Sequence, residues 1–158
     1  MKLLLNHRYH HYLLSLMLVV VHSQSTGDTL PRTWRATFYY DVGACNGSNV
    51  VTSYFTYEGT NAKLSPCQDL GQPPSSSTLT CASWQSGGKS GPFTCTDKGF
   101  EVAKGVRVRT GECYLYAVPG CEGNTLIVGG GGGESGLCVE GTSSLGVGVV
   151  SFECRVER

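Results

Sequence analysis

The sequence predicts an all-β fold, a β-sandwich tied together by disulfides. Three observations carry that expectation. Short runs alternate apolar and polar residues with a period of two, and turn residues separate them. Eight cysteines, an even number, punctuate residues 45–154. The 22 glycines make long helices costly, since glycine disfavours a helix interior by roughly 1 kcal/mol. No stretch shows the i, i+3, i+4, i+7 apolar spacing of a long helix.

The chain opens with Lys2 and Arg8, then the apolar run Tyr12–Val21. A basic start before a short apolar run is the pattern of a secretory signal peptide. A membrane span needs about 20 apolar residues, and this run is shorter. Val21 and Ser23 are small enough for cleavage after Ser23, so residues 1–23 read as a signal peptide and the protein as secreted and extracellular. Residues 24–33 read as a flexible lead-in and residues 34–158 as a single β domain. All four histidines, His7, His10, His11 and His22, fall in the signal segment. The secreted chain therefore lacks the base of a Ser-His-Asp or Cys-His pair. Without Lys2 and Arg8, ten basic residues stand against twelve acidic ones. No basic stripe points to nucleic acid, and no polybasic patch points to a membrane surface.

Strands are expected in order at Trp34–Tyr40, Val50–Tyr57, Leu79–Trp84, Phe100–Arg109, Cys113–Val118, Thr125–Val128 and Gly148–Val156. In the first, Trp34, Ala36, Phe38 and Tyr40 alternate with Arg35, Thr37, Tyr39 and Asp41. Gly105 interrupts the fourth and reads as a bulge. Residues 68–78 and 85–92 carry Gly, Pro and Ser and read as loops. The run Gly129–Gly133 lacks the Gly-Lys-Ser/Thr sequence of a phosphate-binding loop and reads as a flexible hairpin connection.

On a secreted chain the eight cysteines, Cys45, Cys67, Cys81, Cys95, Cys113, Cys121, Cys138 and Cys154, imply four disulfides. Their pairing is open. There is no Cys-x-x-Cys, which disfavours a zinc ribbon or a thioredoxin-type site.

Tyr116, Cys121 and Gly123 repeat the order of Tyr40, Cys45 and Gly47 at an offset of 76 positions. Each set opens a unit: unit one at about residues 34–100, unit two at about 106–158. Cys45, Cys67 and Cys81 then face Cys121, Cys138 and Cys154 as matching frames, with Cys95 and Cys113 in the connector. The match fails at its end, because Ser83-Trp84 follows Cys81 whereas Ser151-Phe152 precedes Cys154.

The repeated opening resembles the βγ-crystallin Greek-key motif: an aromatic, often an acid, three residues, a second aromatic, one residue, then Gly. Tyr40-Asp41-Val-Gly-Ala-Cys45-Asn-Gly47 fits it with Cys45 in place of the second aromatic. Tyr116 to Gly123 fits with Ala117 where an acid is common, and Ser151-Phe152 is similar to the end of such a unit. The resemblance implies two Greek-key-like units forming the sandwich. Calcium-binding members carry paired Asn/Asp before a Ser/Thr-Ser run, which this chain lacks, so neither metal nor cofactor is expected. Small cysteine-rich chains of this kind in fungi imply a class of host-directed effectors and antimicrobial toxins.

The functional expectation is a non-enzymatic secreted protein that binds an extracellular protein or glycan. Alternation puts Tyr39 and Tyr54 on the strand faces opposite the core, which makes them ligand-contact candidates and a possible carbohydrate-stacking platform. Asn46-Gly47-Ser48 is an N-glycosylation sequon. Glycoside hydrolysis would need two acids about 5–9.5 Å apart. The acids available, Asp41, Glu58, Asp69, Asp97 and Glu101, show no apolar context to raise one of them, so no catalytic residue is expected. The alternative is a wall-polysaccharide binder or hydrolase. Ala36-Thr-Phe-Tyr-Tyr-Asp-Val-Gly-Ala-Cys45 is also similar to the opening of expansin- and barwin-like double-psi barrels. The Asp-x-Cys-Pro segment of those proteins is replaced here by Cys95-Thr-Asp97-Lys.

Overall fold

The structure is a computed structural model that describes residues 33–41, 45, 52–95, 100–130 and 136–156. The expected signal peptide, nearly all of the lead-in, the Asn46 sequon and the end of the glycine run lie outside the described residues. Among those described, ten strands form: β1 Trp34–Tyr39, β2 Tyr54–Gly59, β3 Gln68–Asp69, β4 Leu79–Gln85, β5 Ser90–Thr94, β6 Gly105–Thr110, β7 Glu112–Tyr116, β8 Thr125–Gly129, β9 Leu137–Glu140 and β10 Ser151–Arg155. One short helix, α1, spans Gly141–Leu145. The strands make two antiparallel sheets, a six-stranded one in the order β5-β4-β2-β1-β6-β9 and a four-stranded one in the order β3-β10-β7-β8.

The period-two pattern decides which residues meet between the sheets. Trp34, Ala36 and Phe38 of β1 and Tyr57 of β2 are fully buried on one side, with Leu115 of β7 and Phe152 of β10 opposite them. The Phe152 ring lies 4.5 Å from that of Phe38, 4.9 Å from Tyr57 and 6.2 Å from Trp34, measured between centroids. The three contacts are edge-to-face or tilted, the arrangement that ring quadrupoles favour. The chain passes from the six-stranded to the four-stranded sheet in one residue, Gly111, at φ +81°. A left-handed residue with no Cβ suits so abrupt a change of layer.

Four expected elements are corrected. The second strand starts at Tyr54 rather than Val50. Phe100–Lys104 is not strand: Ala103 is buried while Val102 is 37% exposed, so the alternation changes phase before Gly105, which begins β6. The expected loops contain β3 and β5. β3 is only two residues long and exists through its pairing with β10. β5 is exposed throughout and carries Pro92, which suits an edge strand.

Each half of the chain lends a strand to the other's sheet. β3 precedes β4 yet pairs with β10, and β9 follows β8 yet pairs with β6. The exchange is symmetric in detail. Ala103 and Val149 trade both backbone hydrogen bonds, at 2.8 and 2.9 Å. Two residues beyond them begin β6 and β10. Lys104 N donates to Tyr39 O as Val150 N donates to Tyr116 O, and Gly141 N donates to Lys104 O as Leu70 N donates to Val150 O.

Four disulfides join all eight cysteines, and none is free. Cys45–Cys138 and Cys67–Cys121 each join the two halves, and they occupy corresponding places in the exchange. Cys45 and Cys121 both adopt positive φ, 49° and 55°. Cys113–Cys154 links the paired strands β7 and β10, where β1 and β6 place Ala36 opposite Val108. Cys81–Cys95 ties β4 to the residue after β5.

Two buried polar side chains are anchored to backbone. Ser151 Oγ donates to Val118 O at 2.6 Å and accepts from Cys121 N at 3.0 Å, which fixes the turn after β7. Gln68 is 1% exposed, and its amide group makes four hydrogen bonds that shape residues 69–75. Such full satisfaction is what makes a buried amide tolerable.

Candidate functional site

The outer face of the six-stranded sheet carries a hollow. Alternation points Arg35, Thr37 and Tyr39 of β1 away from the core that Trp34, Ala36 and Phe38 enter. The register then builds rows across strands. Tyr39 stands opposite Tyr54, and Tyr54 opposite Trp84 of β4. Thr37 stands opposite Thr56 on one side and Arg107 of β6 on the other. Arg109 follows Arg107 on the same face of β6. These side chains enclose a hollow of about 390 Å³, a size at the small end of ligand sites.

The aromatic row is a closed stack. Tyr54 lies between Tyr39, at 5.5 Å, and Trp84, at 6.1 Å and nearly parallel. A Cβ on Gly91 would come within 3.0 Å of the far side of Trp84, so backbone covers that end. Tyr39 is 4% exposed. Tyr39 is thus buried, whereas Tyr54 and Trp84 are partly exposed, and all three rings line the hollow. The turn Ser86–Gly88 folds over Tyr54, with Gly87 N donating to Thr52 O at 2.9 Å. Gly88, at φ +86°, admits it because a Cβ there would sit 2.5 Å from the Tyr54 hydroxyl.

The electrostatics are one-sided. Arg35, Arg107 and Arg109 line the hollow, and no carboxylate does among the described residues. Arg35 bonds Glu58 at 2.8 Å on the open rim, where both side chains are more than two-fifths exposed; exposed pairs of this kind contribute little stability. Arg107 and Arg109 differ: the Nε of each is buried and has no hydrogen-bond partner. An orphaned buried donor costs on the order of 1–3 kcal/mol, more when it carries charge. Burial pushes the Tyr39 phenol up from its ordinary pKa, while Arg107 and Arg109 pull it down. Thr37 and Thr56 share a hydrogen bond of 3.3 Å on the floor.

The other sequence candidates are placed elsewhere. Asp69 accepts from Gly120 N at 2.8 Å and so holds the turn after β7. Asp41 has a buried Oδ1 without a partner, and Glu101 is exposed. Asp97 and Asn46 lie outside the described residues. A second hollow, of about 240 Å³, lies between Val118, Glu122, Asn124 and Leu145. Among the described residues, no group of His, Cys, Asp and Glu could hold a metal ion. No helix among them is long and apolar enough to cross a membrane.

A family model described as the C-terminal domain of the secreted LysM effector LysM14 matches residues 34–154. The chain belongs to this family. The matched span starts at the first residue of β1, ends in β10 and contains all eight cysteines. No curated protein and no solved structure matches the chain. As a member of the LysM14 C-terminal-domain family the protein is secreted and effector-like, and it is extracellular. The double-psi alternative does not describe it, because its strands form two open antiparallel sheets rather than a barrel.

A disulfide lies beside the hollow. Cys138 of β9 stands opposite Arg107 in the ladder, and its bridge to Cys45 fastens the β9 edge of the face. Sequence reasoning found Tyr39 and Tyr54 but passed over Trp84, Arg107 and Arg109. A signal was present: Arg107 and Arg109 alternate with Val106 and Val108, which places two cations on one face of one strand.

Proposed function

We propose that this secreted effector acts as a binding protein, without catalysis, and takes an extracellular partner in the hollow of the six-stranded sheet. The observation that carries the reading is the pair of cations, Arg107 and Arg109, that line the hollow with no carboxylate beside them among the described residues. Two charges held at neighbouring positions of one rigid strand are pre-organised for an anionic ligand. Two of the acids considered for hydrolysis, Glu58 and Asp69, are already engaged in structural bonds, which also favours binding over chemistry. Host-directed action and antimicrobial toxicity are the two biological outcomes that this class allows.

The build supports a βγ-crystallin-type reading of the frame. Two Greek-key-like units exchange their third strands, with β4 and β5 as an added hairpin on the first. On this reading β6, which the expected bounds of about 34–100 and 106–158 put in unit two, belongs to unit one, so unit one runs from β1 to β6, unit two from β7 to β10, and Gly111 is the junction.

The test is incubation of the secreted protein with insoluble chitin, cellulose and glucan, and with extracellular host extracts. Depletion from solution without release of reducing ends, weakened by Tyr54→Ala, is the expected outcome. Release of reducing ends would overturn the non-enzymatic reading. Binding untouched by changes in the hollow would move the site elsewhere.

A further inference from the structure

We infer that the hollow of the six-stranded sheet recognises an acidic saccharide, whose carboxylate or sulfate is held between Arg107 and Arg109. This rests on the proposed binding role and adds the chemical class of the ligand.

Charge comes first. Without residues 1–23 the chain has 10 basic and 12 acidic residues, so no overall positive charge explains a cationic face. The three arginines of the hollow are a local concentration, and only Arg35 is neutralised, by Glu58 at the rim. The acid nearest in register on β9, Glu140 opposite Gly105, accepts a hydrogen bond from Ser143 at 2.7 Å. Arg107 and Arg109 are thus left with buried donors and no counter-ion among the described residues. A neutral ligand would leave that charge uncompensated. A planar oxyanion suits it, because the guanidinium fork matches such groups with two parallel bonds. Residues i and i+2 on a strand stand about 7 Å apart, a spacing that long side chains can close around one oxyanion.

The rest of the lining narrows the class. A protein side chain as ligand would need an apolar pocket for the anchor that dominates most protein interfaces. The lining here carries hydroxylated side chains, Thr37, Thr56, Tyr39 and Tyr54. That surface suits a small, polyhydroxylated ring carrying one negative group. An extracellular effector meets such rings in uronate and sulfated glycans alike; both present the same oxyanion.

The experiment is calorimetric titration of the secreted full chain with trigalacturonate, a heparin tetrasaccharide, cellohexaose, chitohexaose and poly-L-glutamate. At least one acidic saccharide should bind about tenfold or more tightly than the neutral ones, since charged hydrogen bonds are the strong ones. Which of the two binds distinguishes uronate from sulfate. R107Q/R109Q should lose about tenfold or more of that affinity without a lowered melting temperature, and R107K/R109K should keep part of it, because the charge remains and the fork is lost. Should the glutamine variant fail to fold, the lysine variant and the salt dependence decide. A Kd insensitive to salt between ~0.05 and ~0.5 M overturns the inference. Equal binding of neutral sugars overturns it, as does a folded R107Q/R109Q that binds normally. Poly-L-glutamate binding as well as the saccharides would make the ligand an acidic peptide. Neutral-glycan capture in the hollow without any acidic binding would overturn this inference alone and leave the binding role standing.

Discussion

Tyr57 sits at the centre of the sandwich, fully buried, and its hydroxyl has no hydrogen-bond partner. An unmet buried hydroxyl costs on the order of 1–3 kcal/mol, so Tyr57→Phe should stabilise the protein by about 1 kcal/mol in urea denaturation at neutral pH. Burial also pushes the Tyr57 phenol up, and that of Tyr39 with it. A raised folded pKa means that the folded state keeps its protons while the unfolded chain loses them. This stability is therefore complete below about pH 10, the unfolded tyrosine value, and is lost as pH rises through the folded values. Tyr57→Phe should flatten that alkaline decline; an unchanged pH profile would show that Tyr57 does not supply it. Gly59 is a second exacting position. A Cβ there would lie 2.6 Å from the Trp34 ring, so Gly59→Ala should destabilise by about 1–3 kcal/mol, as overpacking does. Alternation in the sequence placed Trp34 and Phe38 inside correctly. It gave no sign that Gly59 is required, because that depends on where the Trp34 ring lies across β2.

The exchanged strands and their disulfides test the structure at the next scale. Cys45–Cys138 and Cys67–Cys121 hold equivalent links between halves, across 93 and 54 residues. Doubling a loop changes its closure entropy by only about 0.6 kcal/mol. The double serine variants at each bridge should then lose similar stability, about 2–5 kcal/mol each, measured by thermal unfolding. A harmless loss of one beside a damaging loss of the other would break the equivalence. The sequence repeat pointed to Cys45 with Cys121 and Cys67 with Cys138, and their structural positions correspond. It aligned Tyr40 with Tyr116, whereas the hydrogen bonds align Tyr39 with Tyr116. Cys45 follows Tyr39 by six residues and Cys121 follows Tyr116 by five, so one residue more in the turn leading to Cys45 shifts the strand's phase while the cysteines keep step. β3 and β9 were hidden for a different reason. They are short and flanked by turn residues, and they become strands only when the other half supplies β10 and β6.

Considered whole, the molecule is two halves that complete each other's sheets. Neither half should fold alone: a chain of residues 112–158 lacks β3 and leaves the outer edge of β10 unpaired, and should show no cooperative melting transition, whereas the full chain should. Phe152, which meets three aromatic rings of the opposite sheet, should cost about 3–5 kcal/mol on truncation to alanine. All-β architecture, secretion and the cysteine framework were legible in composition and spacing. The hollow was legible only in part, since Tyr39 and Tyr54 share a strand-pair register that sequence alternation suggests, while Trp84 and Arg107 reach the same face through strands that no local pattern places beside them. The most direct test of the hollow as the binding face is nuclear magnetic resonance of the Arg Nε–H groups during titration with a bound saccharide. Arg107 and Arg109 signals should shift progressively and saturably, together with the Tyr54 and Trp84 ring signals, while Arg155 on the four-stranded sheet stays still. Shifts confined to Arg155, or to residues around Val118 and Leu145, would contradict it.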